Sequence, residues 1–218
     1  MAISDFEFQL NDTGYTAGQY GGKDTHVTIP SSYNGKKVTA VGKWAFYYKN
    51  DVKSVTIPGS VTRIEDFAFK ISGLTSIAIP DSVSYVGQNA FEGCLDLKSA
   101  KLPRGLKRIA RYTFWQCALE SIVIPDSVTV IEDHAFYECK SLTSITIPSS
   151  VKEIGDSAFL YCHGLTRAHF ESPDGWYLAE REEDDYGQDL DGDDLAYPKE
   201  AAKLLTKPFR FRNYWKRR

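Results

Sequence analysis

No stretch of this 218-residue chain comes near the ~18 consecutive apolar residues that a membrane helix requires. Nor does it open as an exported precursor would, because "MAISDFEFQLND" puts Asp5 and Glu7 where a signal peptide has a basic start and an apolar run. As written, the sequence is therefore expected to carry no export signal, no membrane contact and a cytoplasmic address. Cysteine is scarce, four residues with no C-x-x-C pair, which argues against a zinc or thioredoxin-like motif. His26, His134, His163 and His169 fall at different phases, and no Ser-His-Asp or paired-carboxylate grouping recurs. The expectation is a protein that is not an enzyme and holds no cofactor.

Net charge is also nearly missing, at −3, but it is unevenly distributed. Residues 171–194 hold eleven acids against Arg181, and residues 199–218 hold eight bases against Glu200, which leaves residues 1–170 neutral. A hydrophobic share of 42% with 25% charged residues is that of a soluble folded chain.

What the sequence does have is repetition. An aliphatic-Pro step falls at Pro58, Pro80, Pro103, Pro125 and Pro148, and each is followed eleven residues later by a phenylalanine. The phenylalanines are Phe46, Phe69, Phe91, Phe114, Phe136 and Phe159, spaced alternately 23 and 22 residues apart. The one-residue slack lies after the Phe, with Phe69 to Leu74 and Phe114 to Leu119 the short versions. Each unit reads L-x-x-I-x-I-P-x-S-V-x-x-I-x-x-x-A-F-x-x-C. Its opening alternation, as in "LTSITI", predicts a strand, which the Pro ends for want of an N–H. A second short extended piece such as "SVKEIG" follows, and segments such as "DSAFLYC" are expected to close the coil as a short helix or 3₁₀ turn.

A 22- or 23-residue unit cannot bury its own apolar side, so the units must stack. At the ~4.8 Å strand separation, six coils make a solenoid about 29 Å tall. The inward set is predictable by column: Val55, Ile77, Ala100, Ile122, Ile145 and Ala168; then Ile57, Ile79, Leu102, Ile124, Ile147 and Phe170. Val61, Val83, Leu106, Val128 and Val151 form a third, Ile64, Val86, Ile109, Ile131 and Ile154 a fourth, and the phenylalanines a fifth.

"LTSITIPSSVKEIGDSAFLYC" resembles the BspA-like, or Treponema pallidum-type, leucine-rich repeats of bacterial proteins, over about residues 25–170. The closing "YWKR" is similar to the end of some bacterial members. The resemblance implies a right-handed solenoid with a parallel sheet on its concave face. It also implies protein binding or adhesion, often at the cell surface, without enzymatic activity.

Three segments are expected: a β-hairpin cap over 1–24, the solenoid over 25–170, and a C-terminal cap over 171–218. In the first, Phe6, Phe8 and Leu10 alternate before a turn. Within the solenoid, Pro30 to Phe46 is five residues longer than its counterparts, and the Asn34-Gly35 turn in "SSYNGKK" accounts for the excess. In the last, "DGWYLA" predicts a strand and Pro198 one short helix whose face carries Ala201, Leu204 and Leu205. Phe209, Phe211, Tyr214 and Trp215 are expected to seal the final coil.

Cys94, Cys117, Cys139 and Cys162 each stand three residues after a repeat Phe and read as small buried thiols filling a turn, as a reducing environment permits. Asp189, Asp191, Asp193 and Glu200 sit at positions 1, 3, 5 and 12 of a calcium-loop pattern, but Asp194 stands where its glycine belongs. A solvated acidic loop is the plainer reading. The basic aromatic end "KPFRFRNYWKRR" suggests nucleic-acid or anion binding, against which stand the adjoining acidic run and the capping role of its aromatics.

The outward columns of the strand are small and polar, poor in the Trp, Tyr and Arg of interface hot spots. The candidate partner contacts are Lys98, Lys101, Glu120 and Arg167 on that face, and an aromatic ridge at Trp115 and Tyr137 at the turn edge. The leading expectation is a protein-binding module, monomeric or weakly self-associating. A self-associating scaffold and an anion binder acting through the C-terminal arm are the alternatives.

Overall fold

The computed structural model describes residues 3–179, 188–207 and 214–218. They form a β-solenoid of about seven turns with two short helices at its end. The strand column runs through His26–Thr28, Ser54–Thr56, Ser76–Ala78, Ser99–Lys101, Ser144–Ile147 and Arg167–Phe170. Arg167–Phe170 adds a strand after the sixth phenylalanine, so the turns outnumber the six repeats. The strands are parallel and in register, as in His26↔Ser54, Ser99↔Ser76 and Ser144↔Arg167. The ladder is not continuous, however, and among the described residues Ser121–Ile124 exchanges no backbone hydrogen bond with either neighbouring coil.

The second extended piece forms two-residue strands at Arg63–Ile64, Tyr85–Val86, Arg108–Ile109, Val130–Ile131 and Glu153–Ile154. The serine of I-P-x-S-V fastens this wall, donating to a carbonyl one coil earlier. Ser60 reaches Val38 at 2.7 Å, Ser82 Val61 at 2.7 Å, Ser127 Leu106 at 2.6 Å and Ser150 Val128 at 2.7 Å.

The third wall, around each Phe, departs from expectation. It is neither helix nor 3₁₀ turn. Residues two before and two after each Phe are left-handed, for example Tyr112 (φ 58°) and Gln116 (φ 58°) about Phe114. Alternate N–H groups bond three residues back, as Trp115 to Tyr112 and Cys117 to Phe114. The others point along the solenoid axis to the next coil: Tyr112 to Asp133, Phe114 to Ala135 and Gln116 to Tyr137, at 2.9–3.2 Å. A helix would consume all these donors internally. Here half of them tie coil to coil, and the left-handed residues are the conformational cost.

The predicted inward columns are all buried. The six phenylalanines stack nearly parallel, with ring centroids 5.0–5.5 Å apart and interplanar angles of 2–10°. Gly73, in a short turn, has no room for a side chain, because a Cβ would strike the Asn50 carbonyl oxygen.

Both ends are covered. Phe6–Asn11 pairs antiparallel with Gly14–Tyr20, which lies against Lys36–Val41 at the head of the second wall. Tyr20 continues the phenylalanine stack, 5.5 Å from Phe46. Ser32–Tyr33 folds back on Lys36–Lys37 through Asn34 (φ 45°) and Gly35 (φ 75°). At the far end Trp176–Ala179 is the expected strand, but it does not pair with the last coil. Tyr214–Arg217 inserts between it and Glu153–Ile154, antiparallel to both. Trp215 faces Phe170 in parallel at 6.1 Å. Phe209 and Phe211 lie outside the described residues.

The expected single helix is two. α1 (Gly192–Ala196) is capped by the Asp191 carboxylate accepting from the Asp193 N–H, and Tyr197 is extended, as the residue before a proline prefers. α2 (Pro198–Thr206) begins on its proline and buries Ala201, Ala202 and Leu205, leaving Leu204 half-buried. It packs on Arg167–Phe170.

Replacing Phe91 by Ala, in mid-stack, is expected to lower unfolding free energy in urea by ~3–5 kcal/mol. Ile71, β-branched at φ 54°, is the reverse case. Ile71→Asn is expected to stabilise by about 1 kcal/mol, read in the same titration.

Candidate interaction site

The strand face carries a groove of about 630 Å³ across three coils. Small side chains make its floor, namely Ser76, Ala78, Ser99 and Ser121, and Lys101, Arg104, Val123 and Pro125 border it. Alternation along the strand turns Val123 outward, where it is 81% exposed, the most exposed large apolar residue among those described. It belongs to the segment whose backbone leaves the ladder, so an apolar side chain and unpaired peptide groups meet at one place.

Of the six residues expected to meet a partner, the structure puts only Lys101 in this groove. Lys98 and Glu120 are exposed and pair with each other at 3.3 Å, a surface contact worth little. Arg167 is exposed but lies opposite Ser144, two coils from Ser121. Trp115 and Tyr137 are half-buried, edge-to-face at 5.7 Å, in a run of rings with Tyr112, His134 and Tyr161. Tyr161, Tyr47 and Tyr48 are the exposed aromatics of that edge. Val123 and Arg104 were not among the expected contacts, although Val123 stands as an apolar residue in an outward column of the strand.

The thiols stand in a row inside the third wall. Cys94, Cys117, Cys139 and Cys162 each donate to the carbonyl of the Phe one coil back, at Phe69, Phe91, Phe114 and Phe136, at 3.0–3.1 Å. Ser72 holds the equivalent position in its own coil and lies 3.3 Å from Cys94 Sγ. Burial, and for each a neighbouring thiol, pushes Cys117 and Cys139 well above the ordinary thiol value.

The histidines are dispersed: His26 shares a hydrogen bond with Ser54, His134 stacks on Tyr112, and His163 and His169 are exposed. Three of the four calcium-loop carboxylates are engaged separately. Asp189 pairs with Arg218 at 3.2 Å, Asp191 caps α1, and Glu200 pairs with Lys203 at 2.7 Å. Among the described residues of the basic end, Lys216 is buried and Arg217 donates to the Ser149 carbonyl at 2.8 Å.

A solenoid of short parallel strands in which every coil adds one aliphatic or aromatic residue to each inward column has the build of a leucine-rich-repeat protein. Residues 23–129 and 107–174 match the BspA type leucine rich repeat region in six copies, and the chain belongs to that family. Among solved structures it is similar to a leucine rich repeat protein of Treponema pallidum, 33% identical over 78% of this chain and 70% of that one, with a TM-score of 0.52. It is also similar to a leucine rich cell surface protein of Faecalibacterium prausnitzii, 28% identical over 81% of this chain and 55% of that one, with a TM-score of 0.60. A leucine-rich repeat protein of Eubacterium ventriosum shares the fold at 24% identity, over 73% and 51%, with a TM-score of 0.56. The chain thus spans about half the length of the last two. No curated protein matches.

The raised thiols of Cys117 and Cys139 stay protonated in the folded state while the unfolded chain ionises. Their stabilisation is complete below the ordinary thiol value near 8.5 and is lost as pH climbs toward the shifted one. Denaturation midpoints are expected to fall between about pH 8.5 and 10. A Cys117→Ala/Cys139→Ala variant should show a shallower fall, and a thiol reagent should label the native protein only on unfolding.

Proposed function

We propose that this protein is a non-enzymatic binding module that holds an extended polypeptide segment of a partner along the strand-face groove. The observation that carries this reading is Val123, exposed beside the unpaired backbone of Ser121–Ile124 and bordered by Lys101 and Arg104. A small-residue floor lets a partner backbone approach closely, Val123 supplies an apolar contact, and the two cations favour an acidic residue in the ligand. Membership of a repeat family supports it, since repeat proteins bind through extended faces. A role in adhesion at the bacterial surface draws support from the similarity to the Faecalibacterium cell surface protein.

Selecting peptides from a random display library on the immobilised protein tests this. The selected peptides should be enriched in apolar and acidic residues and lose affinity at least about tenfold with Val123→Glu or Lys101→Glu. Peptides that bind both variants as they bind the parent would overturn the assignment.

A further inference from the structure

The second wall, a different face from the groove, carries a set of cations that the binding module above does not use. Its two outward columns are Thr62, Ser84, Lys107, Thr129 and Lys152, and Arg63, Tyr85, Arg108, Val130 and Glu153. Parallel pairing sets Arg63 beside Tyr85, Arg108 beside Val130, and Val130 in turn beside Glu153. These ten positions hold four bases and one acid, in a solenoid body that is neutral as a whole.

The bases are spaced, not clustered. Arg63 and Arg108 are 45 residues apart, as are Lys107 and Lys152, which is two coils, or about 10 Å along the axis. Arg63, Lys107 and Lys152 have no ion-pair partner among the described residues. Arg63 instead lies over the Tyr85 ring at 4.6 Å, and Arg108 approaches the same ring at 5.7 Å. The acids nearest this wall are turned to the backbone or to one cation. Glu65 accepts from the Lys43 N–H, Asp66 from the Gln88 N–H, and Glu132 from the Arg111 N–H and Arg108. The hydroxyls between the bases include Thr62 and Thr129, whose donors are given to carbonyls one coil back and whose lone pairs remain as acceptors.

We propose that this wall binds a linear acidic polysaccharide lying along the solenoid axis. Evenly stepped cations with hydroxyl acceptors between them suit a polymer whose sugars alternate between charged and neutral. Its carboxylate or sulfate groups meet Arg63, Lys107, Arg108 and Lys152, and its sugar hydroxyls donate to the threonines. Single-stranded nucleic acid fits less well, because it needs open aromatic platforms, and the one ring in these two columns, Tyr85, is flanked by two guanidinium groups.

Fluorescence anisotropy of the whole protein with a labelled hyaluronan octasaccharide, in which charged glucuronate alternates with an uncharged amino sugar, tests the assignment at low ionic strength. Binding should weaken as salt rises and fall at least about tenfold in Arg63→Gln/Lys107→Gln/Lys152→Gln. A control of equal charge on the strand face, Lys53→Gln/Lys98→Gln/Lys101→Gln, should stay within about twofold of the parent. A disaccharide should compete poorly, because it spans one step only. The proposal is overturned if the octasaccharide does not bind, or if both variants lose affinity equally. It is also overturned if single-stranded DNA or polyglutamate of equal length binds as tightly. Matching melting curves for both variants keep a loss of fold from passing as a loss of site.

Discussion

Everything in this molecule depends on the fact that one coil cannot hide its own interior. A unit of 22 or 23 residues exposes an apolar patch above and below, and only another coil of the same shape, about 5 Å away, covers it. This is why the sequence repeats at all. A column of like residues packs without steps, and a single oversized side chain would lift one coil off the next. The parallel phenylalanine stack is the plainest result, since six identical rings keep one geometry from Phe46 to Phe159. The serine and cysteine columns do for buried carbonyls what the phenylalanines do for the apolar interior.

The same constraint explains the caps. Neither terminal strand of the second wall can be left open without inviting another chain. The Phe6–Tyr20 hairpin closes one end and the Tyr214–Arg217 strand the other. The hairpin joins the wall in parallel and turns antiparallel only at its outer strand, whereas Tyr214–Arg217 meets the wall antiparallel at once. The strand face, by contrast, is loosely bonded, and the candidate binding groove lies where its ladder lapses at Ser121–Ile124.

The buried columns were legible in the sequence because packing acts directly on residue type at a fixed period. The turn conformation was not. Phe67, Ile71 and Tyr112 are residues that propensity would keep out of left-handed backbone, and they hold it while their N–H groups bond the next coil. Local sequence has no sign for a hydrogen bond made 21 or 22 residues away. The closing strand was equally hidden, for "YWKR" shows no alternation of apolar and polar residues, and it pairs where an open edge lies beside it. α1 was missed because its acids read as a loop, although Asp191 is a good cap. In the candidate site Lys101 was foreseen from its outward column, while Val123 was passed over because polarity, not apolarity, was the signal sought.

The axial hydrogen bonds of the third wall all run one way, with N–H toward the C-terminal end and C=O toward the N-terminal end. Their peptide dipoles therefore add along the stack, as those of a helix do, and leave a partial positive charge where the wall stops at Ser157, Phe159 and Tyr161. Leu205 and Trp215 border that end beside Ser157 and Phe159. A solenoid body without net charge is thus electrically polar along its length, a property that resides in its backbone.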